Sequence, residues 1–274
     1  MSNKLLIIGR KSFIAQNVMK YTHIENNLIS FEDFFKKGNK FLGKYSYILN
    51  CSSNRYLINN RYDSKFDFDL RIAHKIKNIN TKLIFLSSRK IYKIKDNIKE
   101  NNIKDPKCFY SKNKFTTEKK LKKILKKKLL VLRLSNLIGL DKKKRNRKLH
   151  KTFFDIYKSG VDNGILFKNP GIYKDFLPIA TFVKILSKML QTNCTGIYNV
   201  SFGNKVYLDK ILNWLNYYNT KPFNKVIYKI NKFSENQDCF YLNNDKLRKA
   251  INLKLTYKNL ENEIKKVSKD FHGK

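Results

Sequence analysis

Proline, glycine and cysteine are scarce in this chain of 274 residues, which has four prolines, ten glycines and four cysteines. So few prolines and glycines leave no room for a long flexible linker between domains. The cysteines are widely separated and show none of the paired spacings of zinc sites, and the four histidines are equally scattered. We therefore expect no metal site.

Acidic residues are scarce as well: 21 stand against 59 basic ones, which gives a formal net charge of +38. Such a surface attracts anions, among them phosphorylated substrates, nucleic acids and anionic membranes. Codon bias offers a second explanation, because Lys, Asn, Ile, Tyr and Phe are all abundant and are all encoded by AT-rich codons. Arginine is rare and the lysines are spread along the chain, so we expect no specific nucleic-acid recognition.

Long apolar runs are missing too. The apolar stretch in "MSNKLLIIGRKSF" is far shorter than a signal peptide or a membrane span. We therefore expect no membrane insertion and take a reducing cytoplasm as the location. Hydrophobic residues make up 42% of the chain and aromatic residues 14%, which suits a folded protein with a proper core.

The apolar residues fall in short continuous runs that alternate with segments of helical spacing. Such runs are typical of strands buried on both faces, and the alternation predicts a parallel sheet with helices on both sides. The predicted strands are Lys4 to Gly9, Asn27 to Phe31, "YSYILNCSS", Lys82 to Ser88 and Leu129 to Gly139.

Small or polar residues stand where four of these strands end. Ligands of parallel sheets bind at the carboxyl ends of the strands, so we expect the chemistry of this protein there. The residues are Gly9, Ser52 with Ser53, Ser87 with Ser88, and Ser135 with Asn136.

A tyrosine and a lysine four residues apart share one face of a helix and can form a proton-transfer pair. The sequence contains this spacing three times, about as often as chance gives for 16 tyrosines in so lysine-rich a chain. Only the first pair begins a helix downstream of a strand that ends in serine, Ser88, so its tyrosine is the candidate. The three pairs are Tyr110 with Lys114, Tyr217 with Lys221, and Tyr228 with Lys232.

Seven segments, in this order, resemble an extended short-chain dehydrogenase/reductase of the NAD-dependent epimerase/dehydratase type that acts on nucleotide-activated sugars. "LLIIGRKSFIAQNV" looks like the strand, turn and helix that receive a dinucleotide, and "YILNCSSN" like the strand under the nicotinamide. "LIFLSSRKIY" is similar to the catalytic serine strand, "FYSKNK" to the tyrosine–lysine helix, and "LRLSNLIG" to the strand whose asparagine touches substrate. "YKDFLPI" and "GIYNVSFGNKVYLDKI" resemble parts of the substrate lobe.

The resemblance implies an α/β fold: a Rossmann-like doubly wound parallel sheet with a smaller C-terminal α/β substrate lobe. Residues 1–140, with 180–202 returning to them, would form the NAD(P)-binding lobe. Residues 141–179 and 203–274 would form the substrate lobe. The resemblance also implies a homodimer paired through the helix that carries Tyr110.

The resemblance implies the following site. The catalytic residues are Ser88, Tyr110 and Lys114, and the substrate is a nucleotide-diphosphate sugar held by Ser88, Asn136 and Lys174, with the basic loop Asp141 to Lys148 near its diphosphate. The cofactor is NADP(H) or NAD(H), and Arg10 and Lys11 favour NADP(H) because they can meet a 2′-phosphate. The cofactor-binding residues are Gly9, Arg10, Lys11, Ser12, Phe13, Ile14, Ser30, Cys51, Ser52, Tyr110 and Lys114.

The chemistry that this site implies is hydride transfer between the nicotinamide and a carbon that bears oxygen, with a proton moved to or from that oxygen. A free tyrosine has a pKa of about 10 and is a poor base at neutral pH, whereas a lysine cation nearby favours the phenolate. Ser88 would hydrogen-bond the reacting oxygen, and Lys114 would also hold the nicotinamide ribose.

The sequence departs from the family pattern in the glycine loop and after the serine strand, among other places. The glycine loop reads Gly9, Ser12 and Ala15, and serine at the second position stands where the backbone must approach the pyrophosphate. A catalytically inactive relative that serves as a binding or regulatory module is therefore an alternative, and a polyanion-binding protein that borrows the fold is another. Arg89 and Lys90 replace the Asp–Glu pair of dehydratases, which leaves 4-epimerisation or reduction of a keto-sugar.

Overall fold

The computed structural model describes residues 3–140, 153–228 and 239–273. Its strands are β1 (Leu5–Ile8), β2 (Asn26–Ile29), β3 (Tyr47–Asn50), β4 (Lys82–Ser88), β5 (Leu129–Leu134), β6 (Asn136–Ile138), β7 (Ile165–Lys168), β8 (Tyr173–Lys174), β9 (Phe176–Pro178), β10 (Gly196–Val200), β11 (Val206–Tyr207) and β12 (Lys225–Tyr228). Its α-helices are α1 (Phe13–Tyr21), α2 (Phe31–Lys36), α3 (Asn39–Leu42), α4 (Tyr56–Asn59), α5 (Phe68–Ile76), α6 (Phe109–Leu125), α7 (Phe153–Asp162), α8 (Ile179–Gln191), α9 (Leu208–Leu215), α10 (Asp245–Ile251) and α11 (Tyr257–His272).

The main sheet is parallel throughout, with the strand order β2-β1-β3-β4-β5-β10. Alternate residues of a strand face opposite sides of the sheet, so Leu5 and Ile7 pack into one core and Leu6 and Ile8 into the other. Helices α1, α8 and α10 cover the first core, and α2, α3, α5 and α6 cover the second. The predicted fold class, a doubly wound parallel sheet, is confirmed.

The strand order reverses at β1, whose neighbours are β2 on one side and β3 on the other. Such a switch point opens a crevice at the carboxyl ends of the strands. Gly9 follows β1 there with φ of +113°, and a β-carbon on it would lie 2.8 Å from the Ser52 hydroxyl oxygen. Both the backbone conformation and the close approach require glycine at this position.

The predicted strand from Leu129 to Gly139 is two strands. β5 ends at Leu134, and β6 leaves the main sheet to pair with β9. The backbone N–H of Ser135 donates to the Val200 carbonyl, and that of Asn136 donates to the Asp175 carbonyl, so the chain changes partner between these two residues. The second predicted strand also ends early, at Ile29, because Ser30 caps helix α2.

A third core lies among α7, α9, α11 and β9. It contains the buried side chains of Tyr157, Phe176, Ile211 and Ile264. The small strand pairs β8–β11 and β7–β12 belong to the same half of the chain. These elements correspond to the predicted smaller α/β lobe, while the residue bounds of the two lobes stay a prediction.

A buried ion pair fastens α6 to the sheet. Glu118 of α6 and Arg133 of β5 are 4% and 2% exposed, and the Arg133 guanidinium binds both carboxylate oxygens of Glu118. The Ser87 hydroxyl of β4 donates to the same carboxylate at 3.1 Å, and Arg133 also donates to the Tyr92 hydroxyl at 2.6 Å. One carboxylate therefore ties α6 to two neighbouring strands.

Replacing Glu118 tests this fastening. We expect Glu118→Ala to lower the free energy of unfolding by about 3–5 kcal/mol, because it leaves the Arg133 guanidinium buried without its counter-ion. Denaturant unfolding followed by circular dichroism measures the loss. Lys122→Ala, an exposed position on the same helix, is the matched control and should change stability by less than about 0.5 kcal/mol. A Glu118→Ala protein as stable as this control would contradict the fastening role.

Candidate active site

A cleft of about 580 Å³ opens at the carboxyl ends of β3, β4 and β5. It brings together eight of the predicted site residues, which come from six separate segments of the chain. They are Ile14, Cys51, Ser52, Ser88, Tyr110, Lys114, Asn136 and Lys174.

Ser88 and the Tyr110–Lys114 pair are placed by neighbouring elements. Ser88 is the last residue of β4, and its hydroxyl accepts from the backbone N–H of Lys90 at 3.2 Å. α6 begins at Phe109, so Tyr110 stands in its first turn and Lys114 one turn later on the same face. Because the Glu118–Arg133 pair binds α6 to the sheet, these side chains keep a defined place relative to β4.

The charge of the cleft has one sign. Four basic residues line it, Arg89, Lys90, Lys114 and Lys174, and none of the described residues that line it is an aspartate or a glutamate. Such a cleft suits a ligand with phosphate groups. It also offers no carboxylate from the described part of its wall as a general acid or base.

The dinucleotide turn runs from Gly9 to the start of α1. Ser12 has φ of −78° and ψ of 136°, an extended conformation that any residue adopts, so serine there does not strain the backbone. Burial raises the pKa of the Cys51 thiol, and a side-chain hydrogen bond with Ser12 partly opposes this rise. The Ser12 side chain is thus engaged with the end of β3. The first turn of α1 carries no acidic residue and presents free amide groups.

The outer edge of this turn contains a carboxylate that the sequence analysis did not consider. Asp33 Oδ2 lies 3.5 Å from Arg10 Nη2, and the Ser30 hydroxyl accepts from the Asp33 backbone N–H at 3.0 Å. The hydrogen bond with Ser30, with help from Arg10, holds the pKa of Asp33 below its ordinary value. Ser30 is therefore a helix cap, and Arg10 already has an acidic neighbour. Lys11 is exposed in the same turn.

The side chain of Phe13 points away from the cleft. Its side chain lines a second cavity, of about 490 Å³, between α1, α8 and α11, and packs near Gly139. Its backbone still belongs to the first turn of α1, whereas its side chain is not among those that line the cleft.

Asn136 is held by Asp175. The Asn136 side-chain amide donates to the Asp175 backbone carbonyl at 3.0 Å. The Asp175 carboxylate is fully buried and accepts from three backbone amides, those of Phe202 at 2.9 Å, Gly203 at 3.1 Å and Leu242 at 3.1 Å. Burial raises the pKa of Asp175 to about 7, and the three amide donors oppose this only in part. Its neighbour Lys174 lines the cleft, while the loop Asp141 to Lys148 lies outside the described residues.

The two rival tyrosines stand away from the cleft. Tyr217 follows α9 and is 60% exposed, and Tyr228 ends β12 and is 57% exposed. Neither lines the cleft, and Lys232 lies outside the described residues. The surroundings that singled out Tyr110 in the sequence therefore separate it from the other two in space as well.

Solved structures match this fold over nearly the whole chain, although no family model and no curated protein matches the sequence. A structure of RMD from Pseudomonas aeruginosa complexed with NADPH has a TM-score of 0.76 at 14% identity, covering 99% of this chain and 99% of its own. A UDP-N-acetylglucosamine 4-epimerase from Methanobrevibacter ruminantium, in complex with UDP-N-acetylmuramic acid, has a TM-score of 0.77 at 16% identity, covering 100% of this chain and 99% of its own. A dTDP-glucose 4,6-dehydratase from Bacillus anthracis in complex with NAD has a TM-score of 0.73 at 15% identity, covering 99% and 97%.

The chain has the fold of nucleotide-sugar epimerases and dehydratases. The predicted resemblance is confirmed at the level of this epimerase/dehydratase fold. Identities of 14–16% establish the fold alone, so the role of each residue rests on the cleft itself. Among the described helices, none is both long enough and apolar enough to cross a bilayer.

The raised pKa of Asp175 predicts a pH dependence of stability. Its folded-state pKa of about 7 lies above the ordinary value of 3.8, so its contribution is present below pH 4 and is lost as the pH rises through 7. We expect the free energy of unfolding of the wild type to fall, relative to that of Asp175→Asn, by a few kcal/mol between pH 4 and pH 7. Urea unfolding at several pH values measures the difference.

Asp63→Asn is the control for this comparison, because Asp63 is a partly exposed carboxylate whose pKa is lowered by hydrogen bonds with Lys65. Its pH dependence should follow that of the wild type between pH 5 and pH 7. If the amide donors around Asp175 outweigh its burial, the difference between wild type and Asp175→Asn will have the opposite sign.

Proposed function

We propose that this protein catalyses NAD(P)-dependent hydride transfer on a nucleotide-diphosphate sugar, either 4-epimerisation or reduction of a keto-sugar. The observation that carries the proposal is the cleft itself. It gathers a serine at the end of a strand, a tyrosine and lysine one helical turn apart, and basic walls without a described carboxylate. The first three can handle the proton transfer that accompanies hydride transfer, and the basic walls suit an anionic ligand.

The residues around the switch point fit a dinucleotide. Gly9 leaves no β-carbon between the ends of β1 and β3, and α1 offers the free amides of its first turn to a diphosphate without a competing acidic side chain. Ile14, Cys51 and Ser52 continue this surface into the cleft. When bound there, a nicotinamide cofactor supplies or takes up the hydride.

The side chains of the protein transfer the proton and orient the substrate and the cofactor. Tyr110 gives a proton to the substrate oxygen during reduction and takes it back during oxidation. Ser88 donates a hydrogen bond to that oxygen. Lys114 would hold the nicotinamide ribose, and it places a positive charge one helical turn from Tyr110.

The sugar nucleotide occupies the opposite side of the cleft in this proposal. Asn136 contacts the sugar, from the position that Asp175 gives it, and Lys174 contacts the diphosphate. Removal of water from the sugar needs a second acid–base pair, and Arg89 and Lys90 stand where dehydratases of the family carry carboxylates. Epimerisation and reduction need only the Ser88, Tyr110 and Lys114 set, so these two reactions are the ones proposed.

The solved relatives support both ligand classes. RMD is complexed with NADPH, the 4,6-dehydratase with NAD, and the 4-epimerase with UDP-N-acetylmuramic acid. Homodimerisation through α6 stays a prediction. In such a dimer the exposed lysines of this helix would lie near the same lysines of the second copy; they include Lys112, Lys119 and Lys122.

Cofactor binding and turnover test the proposal together. NADPH and NADH should bind saturably in a fluorescence titration, at high as well as low salt, and Lys114→Ala should weaken binding about tenfold by removing a charged hydrogen bond to the ribose. Tyr110→Phe should keep binding and lose hydride transfer by a factor of about 100 or more, measured as nicotinamide absorbance with a panel of nucleotide sugars. Lys112→Ala, on the solvent side of α6, is the matched control and should behave as wild type.

Two outcomes would overturn this function. Binding that disappears with salt, or that ignores Lys114, would mean that the basic surface attracts the dinucleotide without a specific site. Specific binding with no transfer to any nucleotide sugar of the panel would favour the catalytically inactive relative.

The Arg10–Asp33 pair predicts how the protein discriminates between NADPH and NADH. A 2′-phosphate would compete with Asp33 for Arg10 and be repelled by its carboxylate, whereas a 2′-hydroxyl would not. We expect Asp33→Asn to raise the affinity for NADPH relative to NADH by about fivefold, the scale of an exposed ion pair. Parallel titrations with both cofactors give the ratio. Glu32→Gln removes the neighbouring exposed charge as a control, and an equal ratio in both variants would remove Asp33 from cofactor choice.

A further inference from the structure

A buried carboxylate stands beside the candidate catalytic lysine. Asp69, in the first turn of α5, is 7% exposed, and its Oδ2 lies 4.0 Å from Lys114 Nζ. An aspartate near the start of an amphipathic helix is ordinarily a solvated residue, so its place in the sequence alone indicates no role.

The position of this carboxylate is set by β3. The Asn50 side-chain amide donates to Asp69 Oδ1 at 2.8 Å and to the Ser52 carbonyl at 3.2 Å, and the Asn50 side-chain carbonyl oxygen accepts from the Ser52 backbone N–H at 2.9 Å. Asn50 itself is 3% exposed and lines the cleft. Asn50, a residue of the cleft wall, therefore fixes the Asp69 carboxylate beside Lys114.

Tyr110 belongs to the same surroundings. Asp69, Tyr110 and Lys114 all line a third, smaller cavity of about 40 Å³. Asp67 lines it too, but its carboxylate accepts from Tyr62, Thr117 and the backbone N–H of Leu70. Asp69 is thus the carboxylate that the described residues place against the Lys114 ammonium.

We propose that Asp69 is a positioning residue of the hydride-transfer site, which holds the Lys114 ammonium and offsets part of its charge at Tyr110. The proposal rests on the proposed function of Tyr110 and Lys114. Tyr110 therefore lies beside both the Lys114 ammonium and the Asp69 carboxylate, and not beside the ammonium alone.

The charge state of Asp69 supports this role. Burial raises the pKa of Asp69 to about 6, and the Lys114 ammonium opposes the rise. The other titratable groups that face it are Asp67 at the start of α5 and the Cys51 thiol at the end of β3. Burial and the Lys114 ammonium therefore act in opposite directions on this carboxyl, and it changes charge at a pH of about 6.

Asp69→Asn removes the charge while keeping the size of the side chain and an acceptor for Asn50. An anion near a phenol disfavours its ionised form, so its loss should let Tyr110 ionise at lower pH, by about one pH unit. The ultraviolet absorbance of tyrosinate, titrated on the protein without ligand, reports this ionisation. Each protein is compared with the same protein carrying Tyr110→Phe, so that the difference isolates Tyr110 from the other tyrosines.

Asp67→Asn is the matched control, since it removes a buried carboxylate two residues away that does not contact Lys114. It should move the Tyr110 midpoint by less than a third of the Asp69→Asn shift. Asp69→Ser removes the same charge with a smaller side chain and serves if the asparagine variant does not fold. A Tyr110 midpoint that is equal in wild type and in the Asp69 variants, or that moves to higher pH, overturns the proposal.

The pH profile of turnover provides the second readout. The limb of the profile that depends on the tyrosine should move in the same direction and by the same amount as the absorbance midpoint. A purely structural role would lower the rate equally at every pH. The absorbance titration needs neither cofactor nor substrate, so it tests Asp69 even if hydride transfer on nucleotide sugars proves to be the wrong function.

Discussion

The candidate site depends on one buried ion pair, that of Glu118 with Arg133. An α-helix that covers a sheet is ordinarily held by apolar contacts, which tolerate small slides along the strands. Glu118 removes this freedom because its carboxylate binds a guanidinium of β5 and a hydroxyl of β4 at once. Tyr110 and Lys114 lie on the same helix, two turns and one turn before Glu118, and Ser88 follows Ser87 directly. Burying a charge costs free energy, and here the buried pair fixes the position of α6 along β4 and β5.

Much of the fold, and part of the candidate site, could be predicted from the sequence. Continuous apolar runs mark β1, β4 and β5, because a strand covered on both faces has no polar side to show. The place of Ser88 and Tyr110 followed from their order along the chain, since strands that end at one edge of a parallel sheet bring their last residues together. The break after Leu134 was missed, because the apolar residues continue through β6 although the chain has left the main sheet for a new partner.

The residues whose roles could not be predicted from the sequence are those that are buried by segments distant along the chain. Asp69 has the pattern of a solvated helix start, and only the meeting of α5 with Asn50 and α6 buries it. Asn50 sits inside an apolar run and reads as part of the strand, yet its amide arranges the end of β3. The side chain of Phe13 turned toward α8 and α11, which lie far along the chain. In each case the missing information was a tertiary neighbour, for which a single sequence has no local signal.

The return of the chain to the main sheet has a consequence for how the protein is made. β10 pairs Gly196 with Leu130 of β5, so the last strand of the main sheet is supplied by a segment beyond the start of the third core. Until that strand arrives, β5 is an open edge, and the apolar face later covered by α8 meets water. Edges of this kind invite pairing with other chains. The edge of β5 is therefore closed only after residues 196–200 have been made, and in that interval the high positive charge opposes contact with neighbouring chains.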